Sequence, residues 1–66
     1  MQKIQSPTPE EIKQAREKTG LTPPKAADIV YLDRTSWTRA EAGKVAMHPA
    51  IFELFLLKTG QKTLDI

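Results

Sequence analysis

A short chain without cysteine can hold a fold in only a few ways, and this sequence has no cysteine in 66 residues. Disulfides and thiolate metal sites are excluded, and the single histidine, His48, excludes a metal site built from several histidines. A domain of this length buries only about 60% of the surface that its unfolded chain exposes, so its core is small. Stability must come from closely packed helices or from a second copy of the chain.

The charge balance is mild, with ten lysines and arginines against eight acidic residues and a net charge of +2. Many proteins share such a balance, so the placement of the charges must decide whether nucleic acid is a partner. The apolar runs are too short to cross a bilayer, and the N-terminus lacks a signal-peptide pattern. We expect a cytoplasmic protein with no membrane partner, cofactor, metal or small-molecule ligand. An enzyme is not expected, because one histidine, no cysteine and no carboxylate pair at a spacing useful for catalysis offer little to build an active site from.

Four helical segments are predicted, each with its own start signal. In the first, Thr8, Pro9 and Glu11 form the pattern of a capping box with proline at the first helical position, and Gly20 ends the helix. The other three segments are opened by Thr22, Asp33 and His48-Pro49. No stretch alternates with period two, so we predict one all-α domain of four to five short helices. Residues 1–7 are predicted to form a flexible arm.

The third segment combines an apolar side with a polar side. At 100° per residue, Trp37 and Ala40 point to one side of the helix. The residues of the opposite, polar side are Arg34, Thr35, Thr38 and Arg39. Two short helices joined by a tight turn, the second with a polar outer face, are typical of a helix-turn-helix, here residues 22–42. Arginine can donate two hydrogen bonds to guanine in the major groove, and threonine can contact bases through its hydroxyl or methyl group.

From Ile12 to Gly43 the chain resembles the Cro/C1-type (XRE) helix-turn-helix repressors of phages and bacteria. The ordered set that carries the resemblance is Arg16, Gly20-Leu21-Thr22, Ala26-Ala27, Asp33, Trp37, Arg39, Glu41 and Gly43. The stretch from SWTRAEAG to HPAIFELFLLKTG is also similar to small phage anti-CRISPR-associated repressors, which silence the operons that contain them. The resemblance implies a lambda-repressor-like fold and a homodimer that binds an inverted repeat in a promoter as an (auto)repressor.

The resemblance also implies roles for single residues. Arg16 and Glu41 match positions that pair between the first and third helices. Contacts with bases are expected from Arg34, Thr35, Thr38 and Arg39. Contacts with phosphates are expected from Thr22, Lys25, Ser36 and Lys44.

Three positions depart from the family pattern. Pro23 stands where the family often has glutamine, so a phosphate contact there is lost or moves to Lys25. Tyr31 stands where the turn usually has glycine, so either Tyr31 adopts a positive φ or the turn differs. Ala40 replaces a bulkier residue, so Trp37 or the fourth helix must fill the space.

The fourth segment is apolar on more than one side. Ile51, Leu54 and Phe55 form the stripe expected to cover the core, which leaves Leu56 and Leu57 on the far side. These leucines can cover the tail or a second chain, and we predict the second, with residues 48–66 as the dimerisation segment. The residues of the predicted dimer interface are Phe52, Leu56, Leu57 and Leu64. An alternative is an antitoxin-like module of a toxin–antitoxin pair that binds a protein through this helix.

Overall fold

Helices account for the regular structure of the chain. The computed structural model describes residues 6–62, and over this range the chain forms four helices and no strand. The helices are α1 (Pro9–Thr19), α2 (Pro23–Ile29), α3 (Arg34–Glu41) and α4 (Pro49–Lys58). They form a compact domain with a Cα radius of gyration of 11.3 Å, and the predicted all-α class is confirmed. Most of the predicted arm and the end of the tail, including Leu64, lie outside the described residues.

The predicted helix starts depend on local hydrogen bonds, and the starts of α1, α3 and α4 have a side-chain cap as expected. At the start of α1 the Glu11 amide donates to Thr8 Oγ1 at 3.1 Å, and the Thr8 amide donates to Glu11 Oε1 at 2.8 Å. Gly20 ends α1 with a φ of 77°. Asp33 caps α3 by accepting from the Ser36 amide at 3.2 Å. These caps stabilise backbone donors that the first turn of a helix leaves without partners.

The start of α2 differs from the prediction. Thr22 precedes the helix in an extended conformation, but its side chain makes no capping hydrogen bond. A capping side chain accepts from the amide of the second or third helical residue. The second helical residue is Pro24, which has no N–H, so only Lys25 could serve as donor. The two prolines start α2 through their fixed φ angles instead.

The turn from α2 to α3 follows the first of the two alternatives for Tyr31. Tyr31 has a φ of 61° and is the only residue other than glycine with a positive φ in the described chain. The Leu32 amide donates to Ala27 O at 2.9 Å across the turn. Ala26 and Ala27 are fully buried, and their small side chains let α2 pack closely on α3.

The core lies between α3 and the other helices. Its largest fully buried side chains are Trp37, Phe55, Ile12 and Val30. The rings of Trp37 and Phe55 lie 5.0 Å apart, centroid to centroid, at an interplanar angle of 55°. The fourth helix thus supplies the ring that packs beside Trp37, where Ala40 leaves space. No helix within residues 6–62 is both long and apolar enough to span a membrane.

Candidate nucleic-acid interface

The outer side of α3 is polar and open to solvent. The exposed residues on this side are Arg34, Thr35, Thr38 and Arg39. Trp37 and Ala40, on the opposite side, are 0% and 2% exposed. Within residues 6–62, none of the four outer side chains is hydrogen-bonded to the rest of the chain, so their donors are available to an external partner.

The inner side of α3 is held by a network of charged hydrogen bonds. Arg16 Nε donates to Glu41 Oε2 at 2.6 Å, and Arg16 Nη2 donates to Glu41 Oε1 at 3.0 Å. The expected pair is therefore present and bidentate, with both side chains largely buried. Arg16 Nη1 also donates to the Leu21 carbonyl at 3.0 Å. One guanidinium group thus joins α1, the loop before α2 and the end of α3.

Trp37 is a further member of this network that the sequence analysis did not identify. Its indole Nε1 donates to Glu41 Oε2. The two residues are four apart on α3, and this spacing brings side chains together on one helix face. Trp37 therefore packs its ring against Phe55 and donates a hydrogen bond to Glu41. Together these two contacts fix the orientation of the ring.

The network favours the charged forms of Arg16 and Glu41. Burial by itself would raise the pKa of Glu41, but the hydrogen bonds from Arg16 and Trp37 outweigh burial and hold that pKa below its usual value. The hydrogen bond to Glu41 raises the pKa of Arg16 in turn. A carboxylate and a guanidinium that favour their charged forms make a strong bidentate contact.

The residues predicted to contact phosphates fall into two groups. Thr22, Lys25 and Lys44 are exposed. The Lys44 amide donates to Arg39 O at 2.9 Å, which fixes the backbone just after α3. Ser36 is different, because it is half-buried and its hydroxyl donates to Asp33 Oδ1 at 2.7 Å. In the free protein its proton is therefore engaged at the helix cap.

Two residues of the predicted dimer interface pack against the core. Phe52 and Leu56 are partly buried and pack against the core cluster. The expectation that Leu56 points away from the core is wrong, because Leu56 packs against the core cluster. Leu56 and Phe52 also line an open pocket with Pro7 from the segment before α1. Leu57 is half-buried, and Leu64 lies outside the described residues.

Two large apolar side chains are more exposed than Leu56 and Leu57. Tyr31 is 82% exposed and Val45 is 45% exposed. In the sequence Tyr31 stands out only for its backbone conformation, and Val45 does not stand out at all. Val45 gave no signal in the sequence, because it belongs to a short apolar run, Val45–Met47, that lies between two helical segments and has no period to interpret.

Histidine and the carboxylates do not form a metal site in the described part of the chain. Over residues 6–62 no group of three or more histidine, aspartate and glutamate side chains is arranged to hold a metal ion. His48 Nδ1 accepts a hydrogen bond from the Ala50 amide at 3.0 Å and so caps α4. No model of a known protein family matches the chain, and no curated protein is significantly similar to it. The function must therefore be argued from the site.

Proposed function

We propose that this chain is a lambda-repressor-like helix-turn-helix protein that binds duplex DNA and represses transcription. The observation that carries the proposal is the two-sided construction of α3. Trp37 and Glu41 fix one side to the scaffold, while Arg34 and Arg39 extend from the other side into solvent. A helix of this kind presents a rigid set of donors to a partner.

The dimensions of α3 fit the major groove. An α-helix with its side chains is about 10–12 Å across, and the groove is about 12 Å wide. In helix-turn-helix proteins the N-terminal residues of the second helix contact base edges. Arg34 and Thr35 occupy these positions in α3, so we assign them the deepest contacts. Thr38 and Arg39 follow about one turn later.

Contacts with the DNA backbone are assigned to residues beside α3 in the chain. Lys25 on α2 and Lys44 after α3 are exposed cations. Thr22 has a side chain that no cap engages, so its hydroxyl can donate to a phosphate. Phosphate contacts set the register of a protein on DNA, while base contacts supply sequence preference.

The regulatory part of the proposal is a homodimer on an inverted repeat, with half-sites about one helical turn apart. Phe52, Leu56 and Leu57 on α4 remain the proposed contact residues, together with Leu64 in the tail. A dimer bound across a promoter would exclude RNA polymerase, including at the promoter of its own operon. Phage-borne repressors of the XRE and anti-CRISPR-associated type silence their own operons in this way.

The test starts from a randomised duplex library, from which the full chain selects its preferred DNA. Binding of the selected duplex is then measured by fluorescence anisotropy for the wild type, Arg34→Ala and Arg39→Ala. Each substitution should weaken binding by about 5- to 150-fold, the range of one bidentate arginine–guanine contact. Circular dichroism should not change, because both side chains are exposed. Lys18→Ala, a charge removed from α1, serves as the control and should bind as the wild type does.

The proposal fails if no sequence is enriched, or if both arginine variants bind the selected duplex as tightly as the wild type. If no sequence is enriched and this chain instead forms a stable complex with an unrelated protein, the antitoxin-like alternative is favoured.

A further inference from the structure

The last turn of α4 is tied to the turn between α2 and α3 through one lysine side chain. Lys58 Nζ donates to Ile29 O at 3.0 Å and to Tyr31 Oη at 2.9 Å. The same ammonium lies 4.2 Å from the centroid of the Tyr31 ring. The partners are 29 and 27 residues apart in sequence, so this contact joins two separate parts of the fold.

The Ile29 carbonyl lies at the C-terminal end of α2, where carbonyl groups have no partner within the helix. Positive charge near such an end is favourable, because it complements the helix dipole. The last turn of α2 contains no basic residue of its own. Lys58 supplies that charge from α4 and thus caps α2 from a different helix.

Tyr31 is held in an unusual way. Its φ of 61° is disfavoured for any residue with a Cβ. Its side chain is 82% exposed, so burial in the core does not retain it. What the side chain does contact is Lys58, which also lowers the pKa of Tyr31 by its hydrogen bond to the phenol.

The turn matters because it sets where α3 begins. Only Leu32 separates Tyr31 from Asp33, the residue that caps α3. A change in the backbone of Tyr31 would therefore alter the direction in which α3 leaves the turn. The network of Arg16 and Glu41 holds the opposite, C-terminal end of α3.

We propose that Lys58 and Tyr31 are positioning residues, through which α4 fixes the α2–α3 turn and hence the angle at which α3 meets DNA. The claim about the angle of α3 on DNA rests on the proposed function. The claim that Lys58 fixes the turn does not, because it concerns the free protein alone.

A rival role for Lys58 is a direct contact with phosphate, and the two roles have different consequences. Loss of a phosphate contact weakens binding to all sequences alike and lowers the slope of log K against log salt by about 1. Loss of a positioning contact weakens binding to the preferred sequence, while binding to other sequences and the salt slope stay as they were. The ratio of the affinity for the preferred sequence to that for other sequences therefore distinguishes a positioning role from a phosphate contact.

The variants are Lys58→Met, Tyr31→Phe and their combination, with Lys58→Arg as the conservative replacement. Lys18→Met removes the same charge from an exposed position on α1 and serves as the matched control. The first measurement needs no DNA. Because Tyr31 is the only tyrosine, its phenol can be titrated by ultraviolet absorbance, and Lys58→Met should shift that titration to higher pH. Amide exchange at Tyr31 and Leu32 should accelerate roughly 3- to 10-fold, as expected for a lost hydrogen bond.

The second measurement is anisotropy with two duplexes of equal length, the selected sequence and a scrambled one. Lys58→Met should reduce the ratio of selected to scrambled affinity by about 3- to 10-fold, with the salt slope unchanged. Tyr31→Phe should have a smaller effect, and its effect should largely vanish in the Lys58→Met background. Lys58→Arg should keep most of the wild-type ratio of selected to scrambled affinity. Lys18→Met should leave that ratio unaltered.

Three results would overturn the inference. Unchanged titration and exchange in Lys58→Met would mean that the lysine does not hold the turn. Equal losses on both duplexes with a lower salt slope would make Lys58 a phosphate contact. Additive effects of the two substitutions would mean that the residues act separately. If the wild type selects no duplex, the proposed function fails, and the titration and exchange still decide whether Lys58 holds the turn.

Discussion

The Trp37 indole and the Phe55 ring pack against each other with their centroids 5.0 Å apart, and both side chains are fully buried. This pair joins α3 to α4. It lies on the side of α3 away from Arg34 and Arg39, so the position of the exposed face depends on a contact between two aromatic rings.

Phe55→Ala should be among the most damaging single substitutions. Removal of a buried phenylalanine costs about 3–5 kcal/mol, and a small domain has little more than about 5 kcal/mol to lose. Urea denaturation followed by Trp37 fluorescence measures the loss. Leu57→Ala, a half-buried residue on the same helix, should cost clearly less. Equal costs for the two variants would contradict the assigned core.

Arg16→Ala should destabilise the domain by about 3–5 kcal/mol, because it leaves the Glu41 carboxylate buried without its cation. Glu41→Gln added to Arg16→Ala should recover part of this loss, since a neutral amide is less costly to bury than a charge. Thermal melting of the two variants and the wild type provides the comparison. Near-wild-type melting of Arg16→Ala would argue that the pair contributes little.

Acid should weaken the fold through Glu41. Its pKa is lower in the folded chain than in the unfolded chain, so its contribution is complete at neutral pH. That contribution falls as pH drops below the unfolded value of about 4.3 and is lost below the folded value. Urea midpoints measured from pH 7 to pH 3 should decrease. In Glu41→Gln the urea midpoint should decrease less over this pH range than in the wild type. An equal decrease in the two proteins would mean that other carboxylates cause the effect.

Binding to DNA should weaken steeply with salt if the proposed function is correct. Lys25→Ala and Lys44→Ala should each lower the salt slope by about 1 and weaken binding to selected and scrambled duplexes alike. Ser36→Ala should leave the slope unchanged, because its hydroxyl is engaged by Asp33. A slope that neither lysine variant alters would remove both residues from the DNA contact.

The sequence predicted the helices well because their ends are local features. Thr8 with Glu11 and Asp33 with Ser36 make contacts within four residues, so a linear pattern contains all the information. The α3 face was predictable for the same reason, since the angle between Trp37 and its neighbours is set by the helix period.

Contacts between distant segments could not be predicted in this way. Nothing in the sequence indicates that Lys58 reaches Ile29, because the contact depends on how α4 crosses the end of α2. Leu56 lines the same open pocket as Pro7, and a helical wheel cannot show that the segment before α1 lies beside this side of α4. The pair of Arg16 and Glu41 was expected only from a family resemblance, since the two residues are 25 apart.

The separation of the two sides of α3 bears on how such a protein could change over time. Folding depends on Trp37, Ala40 and Glu41, whereas the outer side chains touch little of the scaffold. Substitutions at Arg34, Thr35, Thr38 and Arg39 can then accumulate at small thermodynamic cost. A lineage built on this domain could drift from one target sequence to another without passing through unfolded intermediates, and the same four positions offer a compact library for directed evolution.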